Sequence, residues 1–95
     1  MNNHINQNCP LCGKPSKFVF KNYQSHKLFI CDKCKVFVIP EMEEDYFKSI
    51  DQSLKTQYSN ISRHLSVDML LQISIERDGN NVKVSHHTVP RSNWL

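Results

Sequence analysis

The sequence predicts an α+β chain: a small three-stranded antiparallel unit held by four cysteines, then a long amphipathic helix, then a C-terminal β-hairpin. Three observations predict it. The cysteines come as two Cys-x-x-Cys pairs flanking β-rich runs, the apolar period changes from two to about 3.6 after Pro40, and a turn sequence, Asp78-Gly79-Asn80-Asn81, separates two alternating runs near the end. A chain of 95 residues has a modest core that often needs a metal, disulfides or a partner to supplement it. The cysteines are therefore the natural starting point.

Cys9 and Cys12 stand two residues apart, as do Cys31 and Cys34, and eighteen residues separate the pairs. That spacing falls inside the pattern of a four-thiolate zinc site. Two intervening residues let a tight turn aim both sulfurs at one ion. A complete tetrahedral shell of cysteines leaves no position for water or substrate, so the expected Zn2+ is structural and single. Iron shares this ligand set, and zinc is preferred because nothing else in the chain suggests electron transfer. Pro10 and Gly13 suit the first knuckle, Gly13 supplying positive φ just after the second ligand. The second knuckle, Cys31-Asp-Lys-Cys-Lys35, has no glycine, so either Lys35 takes the left-handed conformation or that turn has another shape. Residues 17–23, 26–30 and 36–39 read as the three strands.

In its Cys-Pro-x-Cys-Gly opening and paired knuckles, the segment 9–39 resembles the zinc-ribbon superfamily, which implies Cys9, Cys12, Cys31 and Cys34 as ligands. Ribbons serve many functions, so the resemblance implies no single one. Cys31-Asp-Lys-Cys34, the apolar run Val36 to Ile39 and the acidic stretch from Glu41 to Phe47 are also similar to the zinc-binding half of MqsA-like bacterial antitoxins. No helix-turn-helix follows, and that family's operator binding does not carry over. The ribbon tip, residues 22–26, lacks the acidic pair that transcript-cleavage elongation factors carry.

From Pro40 onward Met42, Tyr46, Phe47, Ile50, Leu54, Tyr58, Ile61 and Leu65 fall on one face of a helix spanning 40–65. Pro40 suits its first position and the acids after it favour the helix dipole. At 1.5 Å per residue such a helix runs about 37 Å, longer than a forty-residue ribbon covers. The stripe needs the rest of the chain, a second copy or a larger partner. Phe47, Ile50, Leu54, Tyr58, Ile61, Leu65 and Trp94 are the candidate interface residues. Residues 66–76 fit helix or strand, and a hairpin of 70–76 with 82–88 is preferred. Residues 1–8 read as a polar tail, and 66–95 as the hairpin or helix–strand segment with its own tail.

His86 and His87 are adjacent and point to opposite faces of a strand, so they are read as surface residues and not as a second metal site. His26 reads as an exposed polar residue at the ribbon turn, and His64 as a favourable group at the helix end.

The net charge of +3 is unevenly spread. Lys14, Lys17, Lys21, Lys27, Lys33 and Lys35 crowd the ribbon against Asp32, and the following helix is acidic. Four thiolates on a divalent ion leave a complex of charge −2, which part of that lysine excess balances. No glycine-rich phosphate loop and no nucleophile–base motif is present, so an enzyme with a small-molecule substrate is not expected. The expected function is a non-catalytic zinc-binding interaction protein, an accessory or regulatory subunit docking on a partner protein or on itself. The alternative is a nucleic-acid-binding regulator using the six lysines interleaved with Phe18, Phe20, Tyr23 and Phe29. The N-terminus lacks the apolar core of a signal peptide and no run suffices to span a membrane, so a cytoplasmic location is expected.

Overall fold

A computed structural model describes residues 4–21 and 23–94. Residues 1–3 of the expected tail and Asn22 of the ribbon tip lie outside the described residues. The elements are β1 (Ile5–Asn8), β2 (Pro15–Lys21), β3 (His26–Cys31), β4 (Lys35–Pro40), α1 (Glu44–Lys48), α2 (Gln52–Arg63), β5 (Met69–Asp78) and β6 (Asn81–Pro90), with single 3-10 turns at Glu41–Glu43 and Arg91–Asn93.

The six strands form one mixed sheet in the order β1-β2-β3-β4-β5-β6. Every neighbouring pair is antiparallel except β4 and β5, which run parallel at Phe37↔Leu71 and Val38↔Gln72. A parallel neighbour requires a crossover, and the helical segment supplies it. This corrects the expected architecture in two ways. The three ribbon strands are not a separate module but the middle of a larger sheet, and residues 5–8, read as tail, add a strand to it. The hairpin completes the same sheet on the other side, with 66–76 resolved in favour of strand from Met69 onward.

The second correction is the helix. No helix spans 40–65; the chain makes a 3-10 turn, a five-residue α1, a break at 49–51 and a twelve-residue α2. Ser49 turns its hydroxyl back to the Tyr46 carbonyl, and Asp51 is extended (φ −51°, ψ 137°) while its carbonyl accepts the Leu54 and Lys55 amides. Short polar side chains that bond their own backbone are poor helix formers and good boundaries. From Phe47 to Leu65 the apolar side chains still share one side across the break, and they fold back over the sheet. Phe47 and Tyr58 are buried in the main core, and Ile50, Leu54, Ile61 and Leu65 pack against it. Met42, first in the stripe, is 89% exposed.

The strand alternation explains the two cores. Phe18, Phe29, Phe37, Ile39, Leu71 and Ile73 point to the helix side, and Val19, Leu28, Val38 and Leu70 point to the other, where Trp94 closes over them. The run Val36-Phe37-Val38-Ile39 is apolar without alternation because β4, in the middle of the sheet, is covered on both faces. Phe29 and Phe37 stack at 5.2 Å with an interplanar angle of 11°. His26, expected to be exposed, is half-buried with its ring 5.0 Å from that of Trp94, and burial lowers its pKa.

Among the described residues two ion pairs tie the crossover to the sheet, an exposed one between Arg77 on β5 and Glu43, and a more buried one at Glu44. Lys27 on β3 reaches Glu44 on α1 at 2.5 Å, Gln7 donates to the same carboxylate, and Lys48 lies 3.4 Å away. Burial alone would push the Glu44 carboxyl up, but Lys27, Gln7 and Lys48 outweigh it and hold it below its ordinary range. A carboxylate depressed on folding stabilises above its unfolded pKa, about 4.3, and loses that contribution as pH falls through the folded value. Glu44→Gln is expected to lower stability at neutral pH and to flatten its acid decline, read from urea midpoints across the acid range. An unchanged slope would show that the pair contributes nothing.

Candidate metal centre

The four cysteines lie at the ends of strands. Cys9 follows β1, Cys31 ends β3, and Cys12 and Cys34 sit in the turns leading to β2 and β4. In the first knuckle the Gly13 amide donates to the Cys9 carbonyl and the Cys9 amide to the Lys14 carbonyl, both at 2.7 Å, with Gly13 at φ 77°. Lys35 takes φ 65° in the second knuckle, the position its sequence left without a glycine. A non-glycine residue at positive φ carries a cost that only a well-determined surrounding sustains. Here Lys35 pairs with Cys31 across the β3–β4 ladder.

All four sulfurs lie within 4.8 Å of one another, Cys9 to Cys34 at 3.8 Å and Cys12 to Cys31 at 3.6 Å. A tetrahedron with metal–sulfur bonds of about 2.3 Å has sulfur–sulfur edges of about 3.8 Å. The cluster thus fits a single four-coordinate ion. Cys9, Cys31 and Cys34 are buried and Cys12 is partly exposed. Leu11, between the first two ligands, is buried in the main core, so the knuckle is packed into the molecule by its own apolar residue.

Helix α2 reaches the second knuckle through two serines that the sequence reading did not single out. Ser59 Oγ lies 3.0 Å from Cys34 Sγ, and Ser62 Oγ donates to the Cys34 carbonyl, with a longer contact to that of Val36 at 3.3 Å. Both serines are buried. Their signal was present: Ser62 stands four residues after Tyr58 in the apolar stripe, where a small polar residue needs a polar partner across the contact. Hydrogen bonding to Cys9, opposed by burial and aided by Ser59, draws the Cys34 thiol down to about 5, while the same sulfur contact and burial raise Cys9. The cluster thus favours an anionic sulfur at Cys34, the form a metal takes. Groups that bond to a ligand commonly tune metal affinity by 10–100-fold (about). Ser59→Ala is expected to weaken metal binding by about that factor with the fold retained, measured by competition with a chromophoric chelator. Unchanged affinity would reduce Ser59 to a packing role.

The other candidate residues are dispersed. Lys27 is committed to Glu44 and lies over the Phe18 ring at 4.3 Å. Lys14 and Lys33 line one shallow cleft with Asp32, and Lys17 lines its neighbour, also with Asp32. Lys21 is at the far end of β2 and Lys35 starts β4. Phe18 and Phe29 are core; Tyr23 and Phe20 are exposed. His86 packs its ring at 5.2 Å from Tyr58 on the helix side, and His87 occupies the opposite face. His64 caps α2, its Nδ1 2.7 Å from the Asn60 carbonyl. Among the described residues the four cysteines are the one grouping of metal-ligating side chains, and no helix is long and apolar enough to cross a membrane.

No protein-family model, curated protein or solved structure matches the chain.

Proposed function

We propose that this chain is a non-catalytic zinc protein, a small accessory or regulatory subunit that acts by docking. The closed shell carries the reading. Four thiols at tetrahedral spacing, three of them buried, provide every ligand a zinc ion takes and leave no open coordination position for chemistry. The ion would join four strand ends and, through Cys34, helix α2. Such a site supports a scaffold, and a scaffold without a reactive constellation acts through its surface.

From Phe47 onward the helix stripe is a poor candidate for that surface, since its apolar side chains pack on the chain's own core. Nucleic acid is less well supported than docking. Two of the expected stacking rings, Phe18 and Phe29, are core, and Lys27 is neutralised by Glu44. The experiment is metal analysis of the purified protein with native mass at several salt concentrations and absorbance for co-purifying nucleic acid. One zinc per chain with no nucleic acid supports the proposal. Iron, recognised by its visible charge-transfer colour, would overturn the metal assignment; nucleic acid released as salt rises would move function to Lys14, Lys17 and Lys33.

A further inference from the structure

We propose that the outer edge of β6 is a self-pairing surface, through which two copies of this chain join their sheets antiparallel about a twofold axis at Ser85. The inference rests on the docking reading and names its partner. The two edges of the sheet are unlike. β1 is four residues long, a short polar edge that offers little to pair with. β6 is ten residues long, in unbroken register with β5 from Met69↔Pro90 to Asp78↔Asn81, with no bulge, no proline before its last residue and one lysine, Lys83. It has none of the usual protection of a free edge beyond that lysine.

The hairpin fixes which backbone groups are free. Its two-residue turn, with Gly79 at φ 60°, is closed by Asp78 and Asn81, and the closing pair of such a turn exchanges hydrogen bonds. Bonded pairs then alternate, so Asn81, Lys83, Ser85, His87 and Val89 bond inward to β5. Val82, Val84, His86 and Thr88 turn their N–H and C=O outward. Two such edges can exchange bonds only when outward residues face outward residues, which restricts the twofold to a residue and not to a peptide bond. Centring it on Ser85 sets Val82 opposite Thr88, Val84 opposite His86 and Lys83 opposite His87, pairing the strand from Asn81 to Val89. Four exchanging pairs give about eight hydrogen bonds. Centring on Val84 brings the turn into the ladder, and centring on His86 brings in Pro90, which has no N–H to give.

A second observation falls on the same point. Ser85 Oγ is a buried side-chain oxygen without a hydrogen-bond partner among the described residues. In the proposed register Ser85 faces its own copy as a non-bonded pair, the closest kind of cross-strand approach, where a rotation about χ1 would bring the shielded hydroxyl to that of the copy. The orphaned atom and the symmetry centre coincide. Self-pairing also fits the chemistry of the edge: apart from Lys83 opposite His87, the pairs are β-branched or neutral-polar, and no acid or proline interrupts the stretch from Val82 to Val89.

The test uses the zinc-loaded protein and sedimentation from micromolar to millimolar concentration. A reversible dimer is expected. Thr88→Pro removes an outward N–H while sparing the hairpin's own ladder, and should raise the dissociation constant about tenfold or more. Ser85→Cys should form an intermolecular disulfide on air oxidation, since non-bonded pairs hold their Cα atoms about 4.5 Å apart, whereas His87→Cys, which faces Lys83, should not. A monomer at every concentration overturns the proposal. So does a dimer that ignores Thr88→Pro and in which Ser85→Cys stays unlinked, because its interface lies elsewhere. Either result leaves the docking reading standing, which fails separately if the protein carries nucleic acid or turns over a substrate.

Discussion

Removing the metal is expected to abolish the cooperative fold. Structural zinc contributes an apparent 10–16 kcal/mol (about) in small zinc domains near neutral pH, and a domain of this size holds about 5–15 kcal/mol in total. An ion held by the four cysteines would sit where that exchange matters: the cysteines lie at or near the ends of β1, β2, β3 and β4, and Cys34 is wholly buried beneath α2. Without an ion four thiols crowd within 4.8 Å of one another, and each thiolate among them would be a charge held near the others without a counter-ion. Metal binding displaces protons from the thiols, so affinity falls as pH falls and acid should release the ion. Thermal melts followed by far-UV circular dichroism, with and without chelator, measure the effect; Cys34→Ser should reproduce the chelated state. An apo protein melting within a few degrees of the loaded one would show that the core is sufficient alone.

The parts of this structure that were legible in the sequence are those decided by local chemistry. The Cys-x-x-Cys spacing and Gly13 gave the knuckles, and the missing glycine after Cys34 marked Lys35 as the strained residue. The parts that were not legible depend on distant neighbours. The helix stripe continues in phase through Ser49, Ile50 and Asp51, so periodicity alone carries no sign of the break; the two short polar residues did. Ile5-Asn-Gln-Asn8 has no pattern of its own and becomes a strand only because β2 offers it an edge. The unalternating run Val36 to Ile39 was a hint of a central strand, stronger than its reading as the last strand of a ribbon. The preferred hairpin of 70–76 with 82–88 forms, marked by the turn at 78–81, but the parallel pairing of β5 to β4, more than thirty residues away, is not something β propensity encodes.

That parallel seam is also where a core substitution should cost most. Phe37 is fully buried, stacked on Phe29 and opposite Leu71 across the β4–β5 junction, so it joins the ribbon strands to the hairpin. Phe37→Ala is expected to cost about 3–5 kcal/mol, the transfer free energy of the ring plus the cavity it leaves. Phe20, 38% exposed near the sheet's other end, is the control, and its truncation should cost far less. Since an ion held by the four cysteines would bind only the folded chain, the loss at Phe37 should reappear as weaker apparent metal affinity, and free zinc should restore stability by mass action, about 2.7 kcal/mol at one hundred times the dissociation constant. Urea midpoints of the variant at a series of buffered zinc concentrations test both statements. A loss of less than about 1 kcal/mol would mean the seam repacks around the gap. A midpoint independent of zinc would mean that metal site and sheet fold separately, and the ribbon would after all be its own unit.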